Sequence, residues 1–237
     1  MQIRFTNGGR GFLSSIPPVT RNIIIINFIV WIVTEIFPDF MFDCFSLYYP
    51  GSAKFHWWQF VTYMFMHGGF WHIFFNMFTL YMFGTALERV WGPKKFLFFY
   101  FFTGLGAAAL NAGVQWIQVE HFQRIVEAGE PAAVLGAKYS IQRILYTPTV
   151  GASGSIYGLL LGYAMLFPDS RMTLLFPPIT MKAKWFVIIF AAIELVTGIT
   201  GTVSDVAHFA HLGGMLFGLV LILYWKKEHK MYDYYDN

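Results

Sequence analysis

The chain has 237 residues, of which 57% are hydrophobic, 20% aromatic and 12% charged, with a formal charge of +3 at pH 7 and a mean hydropathy of +0.53. Soluble domains hold about 25% charged residues, so a chain this apolar takes the bilayer as its main solvent and reads as one multi-span membrane domain. Its basic residues flank apolar segments instead of forming a patch, which argues against nucleic acid, and a single cysteine, Cys44, excludes an internal disulfide.

Residues 1–21 hold Asn7, Gly8, Gly9, Pro17 and Pro18 without a small-residue cleavage site. They read as a short tail ahead of an uncleaved first span, not as a signal peptide. Six spans follow at 23–37, 70–87, 96–119, 153–167, 185–200 and 206–225. Pro38, Pro93, Pro168 and the pair Pro177-Pro178 fall at their edges, as helix-stopping residues should. The expected organisation is a tail over 1–21, a six-span core over 22–226 with an outer insert at about 120–150, and a second tail over 227–237. If both termini share one side, 12 of the 16 Lys and Arg residues lie there, among them Arg4, Arg10, Arg89 and Lys230. Lys54, Arg124, Lys138 and Arg143 remain on the other. The bias of basic residues toward the inner side predicts that both termini are cytoplasmic.

After the first span, residues 38–59 mix Phe40, Phe42, Trp57 and Trp58 with Asp39, Asp43 and Lys54. Such a mixture predicts a segment lying in the membrane interface. The second span carries His72 and Asn76 four apart, on one helical face, near its outer end. Both side chains donate hydrogen bonds without a full charge, which suits an oxyanion in a low-dielectric site; the same pair also suits interhelical glue. His67 lies off that face and reads as structural. The insert, with Glu127, Glu130, Pro131 and Lys138, is expected to be partly amphipathic helix outside the membrane, a solvated segment without a part in chemistry.

The fourth span is informative because it is short. From Ser153 to Pro168 there are about fifteen residues, roughly 22 Å of helix against about 30 Å of hydrocarbon. The helix therefore starts below the outer surface, and residues 146–152 dip into the protein, where backbone must be shielded or wet. Ser153 then sits on the floor of an outward-facing cavity, at a helix start whose free N–H groups suit a developing oxyanion. Gly151 and Gly154 flank it, and Gly154, Gly158 and Gly162 continue as a close-packing series that by itself means only helix contact.

In the fifth span Glu194 is the lone acid, expected to hydrogen-bond a neighbour or to reach a gate region. One acid is a weak case for a transport pathway. The sixth span has His208 and His211 three apart, then Gly213, Gly214 and Gly218. Gly214 and Gly218 form a second close-packing surface, and two such surfaces let a short serine reach an imidazole. His211, followed directly by that surface, is the better base; His208 is the rival. His67, His72, His208 and His211 lack a carboxylate or thiol at ordinary ligand spacing, so no metal is expected.

Taken in order, His67-Gly-Gly-Phe-Trp-His72-Ile-Phe-Phe-Asn76, Gly151-Ala-Ser153-Gly154 and His211-Leu-Gly-Gly214-x-x-x-Gly218 resemble the motifs of rhomboid intramembrane serine proteases, over about residues 20–226. The resemblance implies an all-α membrane protein, a six-transmembrane-helix bundle with an interfacial loop after the first span. It implies a Ser–His dyad without an aspartate, Ser153 as nucleophile and His211 as general base and acid. It also implies His72, Asn76 and the Ser153 backbone N–H around the oxyanion, and Tyr157 stacked on the imidazole. Gly151, Gly154, Gly214 and Gly218 would support this site, and the fifth span would be the lateral gate.

The implied activity is endopeptidase cleavage of single-span or multi-span membrane proteins near the outer face, with no cofactor, metal or nucleic acid. The implied setting is a bacterial inner membrane, with the site opening outward. A rhomboid-like protein that binds and escorts spans without cutting them is the alternative. The chain departs from the family's Trp-Arg pair with Trp58-Gln59, which questions how the interfacial loop is anchored.

Overall fold

The computed structural model describes residues 15–174, 178–200 and 208–228. Arg4, Arg10, Pro177, Lys230, residue 206 at the start of the sixth span and most of both tails lie outside the described residues.

The first helices among the described residues are α1 (Pro18–Ile36) and the short α2 (Pro38–Phe45), each led by a proline whose missing N–H is no loss in a first turn. α1 has no cap from its own side chains. Its first turn is closed from elsewhere: Glu88 accepts from the backbone N–H groups of Val19 and Thr20 and from Thr20 Oγ1, at 2.7–2.9 Å. After an irregular loop come α3 (Gln59–Thr62), one 3-10 turn (Tyr63–Phe65) and α4 (Phe70–Thr79). A π turn, Leu80–Gly84, joins α4 to the long α5 (Thr85–Ala128).

Among the described residues, four helical stretches are long and apolar enough to cross a membrane, and one of them runs 59 residues, Phe70–Ala128. It is two spans. Gly92 breaks it with φ 72 and ψ 165, followed by Pro93 inside the helix. A positive φ favours glycine, and a following proline pushes its neighbour to extended ψ. With the shorter apolar helix α7 (Ser153–Leu166), the described residues hold six apolar helical segments, one for each predicted span.

The insert does not separate from the third span. α5 continues through residue 128, ends on left-handed Gly129, and reverses into α6 (Pro131–Tyr146). After α7 the chain forms a two-stranded antiparallel hairpin, β1 (Arg171–Thr173) with β2 (Thr180–Lys182), between the fourth and fifth predicted spans. Among the described residues, the last two helices are α8 (Ala183–Thr200) and α9 (His208–Lys227).

α7 is the central helix, held between α5 and α9 by small residues. A Cβ added to Gly214 would strike the backbone carbonyl of Gly154, and one added to Gly158 would come within 2.7 Å of Thr103. Ser155 donates from Oγ to the Tyr100 carbonyl at 2.8 Å, satisfying a hydroxyl in the same tight seam. The outer helices carry apolar residues outward: Ile25, Ile29 and Ile32 of α1, and Ile188, Ile193 and Val196 of α8, are exposed. Asn27 and Thr34 of α1 point inward and donate to carbonyls four residues back in their own helix. Apolar residues outside and polar ones inside is the pattern of a lipid-solvated bundle.

Candidate active site

Ser153 is the first residue of α7, and the backbone before it is unusual. Thr149 pairs with Leu47 through two backbone hydrogen bonds of 2.8 and 2.9 Å, and the Gly151 N–H donates to the Tyr63 carbonyl at 2.9 Å. These partners satisfy a non-helical segment that descends into the bundle. Gly151 has φ 122, a conformation that disfavours a side chain, and a Cβ there would lie 2.8 Å from His72 Nε2. Gly151 thus lets the chain turn up into α7 beside an imidazole. α7 is 14 residues long, about 21 Å at 1.5 Å per residue, shorter than the roughly 30 Å of a hydrocarbon core.

The close approach of Gly154 and Gly214 brings α9 against α7. Gly218 continues that seam, 3.4 Å from the Gly158 Cα when a Cβ is built on it. Ser153 Oγ and His211 Nε2 are 2.9 Å apart. Tyr157, one turn along α7, stacks on the His211 ring with centroids 4.2 Å apart and planes 7° from parallel.

The other ring nitrogen has a partner that sequence spacing did not supply. His211 Nδ1 lies 2.9 Å from Glu194 Oε1, and His208 Nδ1 lies 2.6 Å from Glu194 Oε2. Tyr157 also donates its hydroxyl to Glu194 Oε1. The resemblance implies no aspartate beside the pair; a buried glutamate from α8 reaches both histidines instead. Sequence spacing left open which neighbour Glu194 bonds, because it meets its partners across three helices. The signal available was its being the lone acid in an apolar span.

His72 and Asn76 approach from α4. The Gly68 N–H donates to His72 Nδ1 at 3.3 Å, which assigns the ring proton to Nε2, the nitrogen next to Gly151. Asn76 Nδ2 donates one hydrogen to the His72 carbonyl at 2.9 Å and keeps a second. His67 packs edge-on to His72, ring centroids 4.9 Å apart, and is fully buried. Ser153, His211, His72 and Asn76 all line one cavity of about 830 Å³.

The wall of that cavity revises the reading of the insert. Ser140, Arg143 and Ile144 of α6 and Gln118 and Phe122 of α5 line it too, so this segment roofs the site instead of standing apart from it.

The interfacial loop is anchored by the residue that departs from the family pattern. Gln59 is fully buried and donates from Nε2 to the carbonyls of Lys54, Asp43 and Cys44 at 3.0–3.5 Å. Its Oε1 accepts from the backbone N–H groups of His56 and Tyr48 at 3.1 and 3.3 Å. A neutral amide meets both donors and acceptors of the loop, which an arginine, with donors alone, could not.

Among known sequences, the profile of the Rhomboid domain matches residues 54–228. Rhomboid protease AarA of Providencia stuartii is 27% identical over 191 residues, which cover 77% of this chain and 61% of AarA. The putative rhomboid protease YdcA of Bacillus subtilis (strain 168) is 27% identical, with 79% and 78% covered. The presenilin-associated rhomboid-like mitochondrial protein of Rattus norvegicus is 28% identical, with 70% of this chain but only 39% of the relative covered. The chain is a multi-pass integral membrane protein and belongs to the rhomboid family.

Proposed function

We propose that the protein is an intramembrane serine endopeptidase that cuts membrane-embedded protein substrates near the outer face. The observation that carries this reading is the 2.9 Å separation of Ser153 Oγ and His211 Nε2, from different helices, in a cavity deep in an apolar bundle. A hydroxyl is a weak nucleophile unless a base takes its proton as it attacks, and Nε2 is within reach to do so.

In the first step Ser153 Oγ attacks the scissile carbonyl carbon while its proton passes to His211 Nε2. The carbonyl oxygen becomes an oxyanion, facing the Ser153 backbone N–H, His72 Nε2–H and the second hydrogen of the Asn76 amide. Collapse breaks the peptide C–N bond as His211 returns the proton to the leaving amine. A water then attacks the acyl-serine, with His211 again taking and returning one proton, and releases the carboxylate product. A substrate helix must unwind locally for this, because helical carbonyls are otherwise bonded within the helix.

The inward bias of basic residues supports cytoplasmic termini and a cavity opening to the outer side, and the two bacterial proteases among the relatives support an inner-membrane setting. Cleavage of a membrane-anchored reporter co-expressed with the full chain tests the reading. Wild type is expected to cut it and Ser153→Ala and His211→Ala are not. Folded wild type that binds but never cuts any of a panel of anchored reporters would favour a span-binding escort instead.

A further inference from the structure

Resting on the protease reading, we infer that Glu194 is a positioning residue for that reaction, fixing the tautomer and orientation of His211 from a third helix. The sequence motifs that point to Ser153 and His211 supply no such group, and a serine–histidine pair does not require one.

The inference begins with hydrogen bookkeeping. An ionised carboxylate only accepts hydrogen bonds, so the short approaches to Glu194 must be donated to it. His211 Nδ1 at 2.9 Å from Oε1 then carries a proton, and a neutral imidazole has only one. Nε2 is left with a bare lone pair aimed at Ser153 Oγ, 2.9 Å away. That is the tautomer a general base needs. With the opposite tautomer Nε2 would donate to the serine and could not take its proton.

The carboxylate is itself fixed. Oε1 accepts from His211 and from the Tyr157 hydroxyl, and Oε2 faces His208 Nδ1 at 2.6 Å, with Thr197 Oγ1 3.1 Å from the same nitrogen. Glu194 is 6% exposed. A carboxylate in hydrocarbon is costly, and the exposed neighbours of Glu194 on α8, Ile193 and Leu195, are lipid-like. Three donors drawn from α7 and α9 offset that cost and leave the group few ways to turn. Tyr157 thereby does two things: its ring lies flat on the imidazole, and its hydroxyl orients the acid that the imidazole faces. When His211 takes the serine proton, the resulting imidazolium lies between an aromatic face and a carboxylate, both already in position.

Because Glu194 belongs to α8 while the pair belongs to α7 and α9, the position of α8 bears on the chemistry. Any displacement of α8 from α9 that separates Glu194 from His211 frees the imidazole to adopt the wrong tautomer.

Full-length protein in lipid, labelled with 15N-histidine, gives a direct test: wild type, Glu194→Gln and Glu194→Asp, with His211→Asn to assign the resonances. Each sample is also treated with a fluorophosphonate, its Ser153 adduct followed by mass spectrometry, and reporter cleavage gives kcat and KM. The expected wild-type spectrum has His211 protonated at Nδ1 and bare at Nε2. In Glu194→Gln the Nδ1–H form loses its dominance, and acylation and kcat fall by about 100-fold or more, with KM within about threefold of wild type. Glu194→Asp, one methylene shorter, recovers at least part of both signals. A purely structural role would shift melting and leave tautomer and acylation rate alone. Wild-type His211 protonated at Nε2, or a folded Glu194→Gln with unchanged tautomer and rate, would overturn the inference. The Nδ1–H tautomer in a wild type that never forms the adduct would uphold the placement of Glu194 and sink the protease reading.

Discussion

A serine in a bilayer-thick bundle is chemically inert unless the residues around it solve three problems at once: a base, a place for negative charge and access for water. In the proposed reaction His211, 2.9 Å from Ser153 Oγ, serves as the first, the start of α7 with His72 and Asn76 as the second, and the cavity of about 830 Å³ that they all line as the third. Single substitutions separate these. Removing one oxyanion donor costs on the order of 100-fold in kcat when the donor acts mainly on the transition state. Asn76→Ala is therefore expected to lower kcat of reporter cleavage by roughly that factor while melting within a few degrees of wild type. Unchanged kcat would remove Asn76 from the site. Gly214→Ala is expected to act differently, through the fold. Its Cβ would run into the Gly154 carbonyl, backbone against backbone, where no side chain can turn aside. A cost of about 3 kcal/mol or more is expected, read as a lowered melting temperature in detergent along with lost activity.

At the scale of elements, the interfacial loop and the segment before Ser153 hold each other in place. The loop's Leu47 pairs with Thr149, and Gln59 binds the loop from within. Gln59→Ala removes the side-chain donor to the part-buried Asp43 and Lys54 carbonyls and the acceptor for the Tyr48 and His56 N–H groups, and each group left unpaired away from water costs about 1–3 kcal/mol. A lower melting temperature and weakened activity are expected together; an unchanged melt would show that water replaces the amide. The rim of the loop carries an exposed ion pair, Lys54 Nζ to Asp43 Oδ1 at 2.7 Å. The hydrogen bond from Lys54 holds the Asp43 carboxyl below its ordinary range. With the folded value depressed, the pair's contribution to loop order is complete above the ordinary carboxylate pKa and is lost as pH falls through the folded one. Lys54→Met is expected to move the Asp43 titration up toward the ordinary range, measured by NMR, without altering activity at neutral pH.

The elements also show which features a sequence can carry. Span edges were legible because Pro38, Pro93 and Pro168 are local instructions that any neighbourhood obeys. The motifs around Ser153 and His211 were legible because glycine spacing states which helix faces touch. The split at Gly92 was anticipated only as an edge, and the long continuation of α5 past the membrane was not, because polarity changes at residue 120 while helix propensity does not. Nor did composition reveal that α6 returns over the cavity: an amphipathic helix says it has two faces, not what it covers.

For the whole molecule, the same limit applies more strongly. Glu194 was visible as an anomaly, yet its partners are set by how three helices pack, and no spacing rule crosses that gap. The inverted pattern, with isoleucines outward and Asn27, Thr34 and Glu88 inward, follows from the solvent. In hydrocarbon the apolar face has nothing to gain from hiding, and each polar group must find a partner inside. The orientation is likewise a property of the whole chain. A tag placed after the last helix is expected to be digested only in vesicles with the cytoplasmic face outward; digestion in the opposite vesicles would reverse the topology.

The most direct measurement is mass spectrometry of the full-length protein in lipid after treatment with a fluorophosphonate. One adduct, on Ser153, is expected in wild type and in neither Ser153→Ala nor His211→Ala, with all three proteins folded. A folded wild type without that adduct, or a His211→Ala protein that acquires it at the wild-type rate, would contradict it.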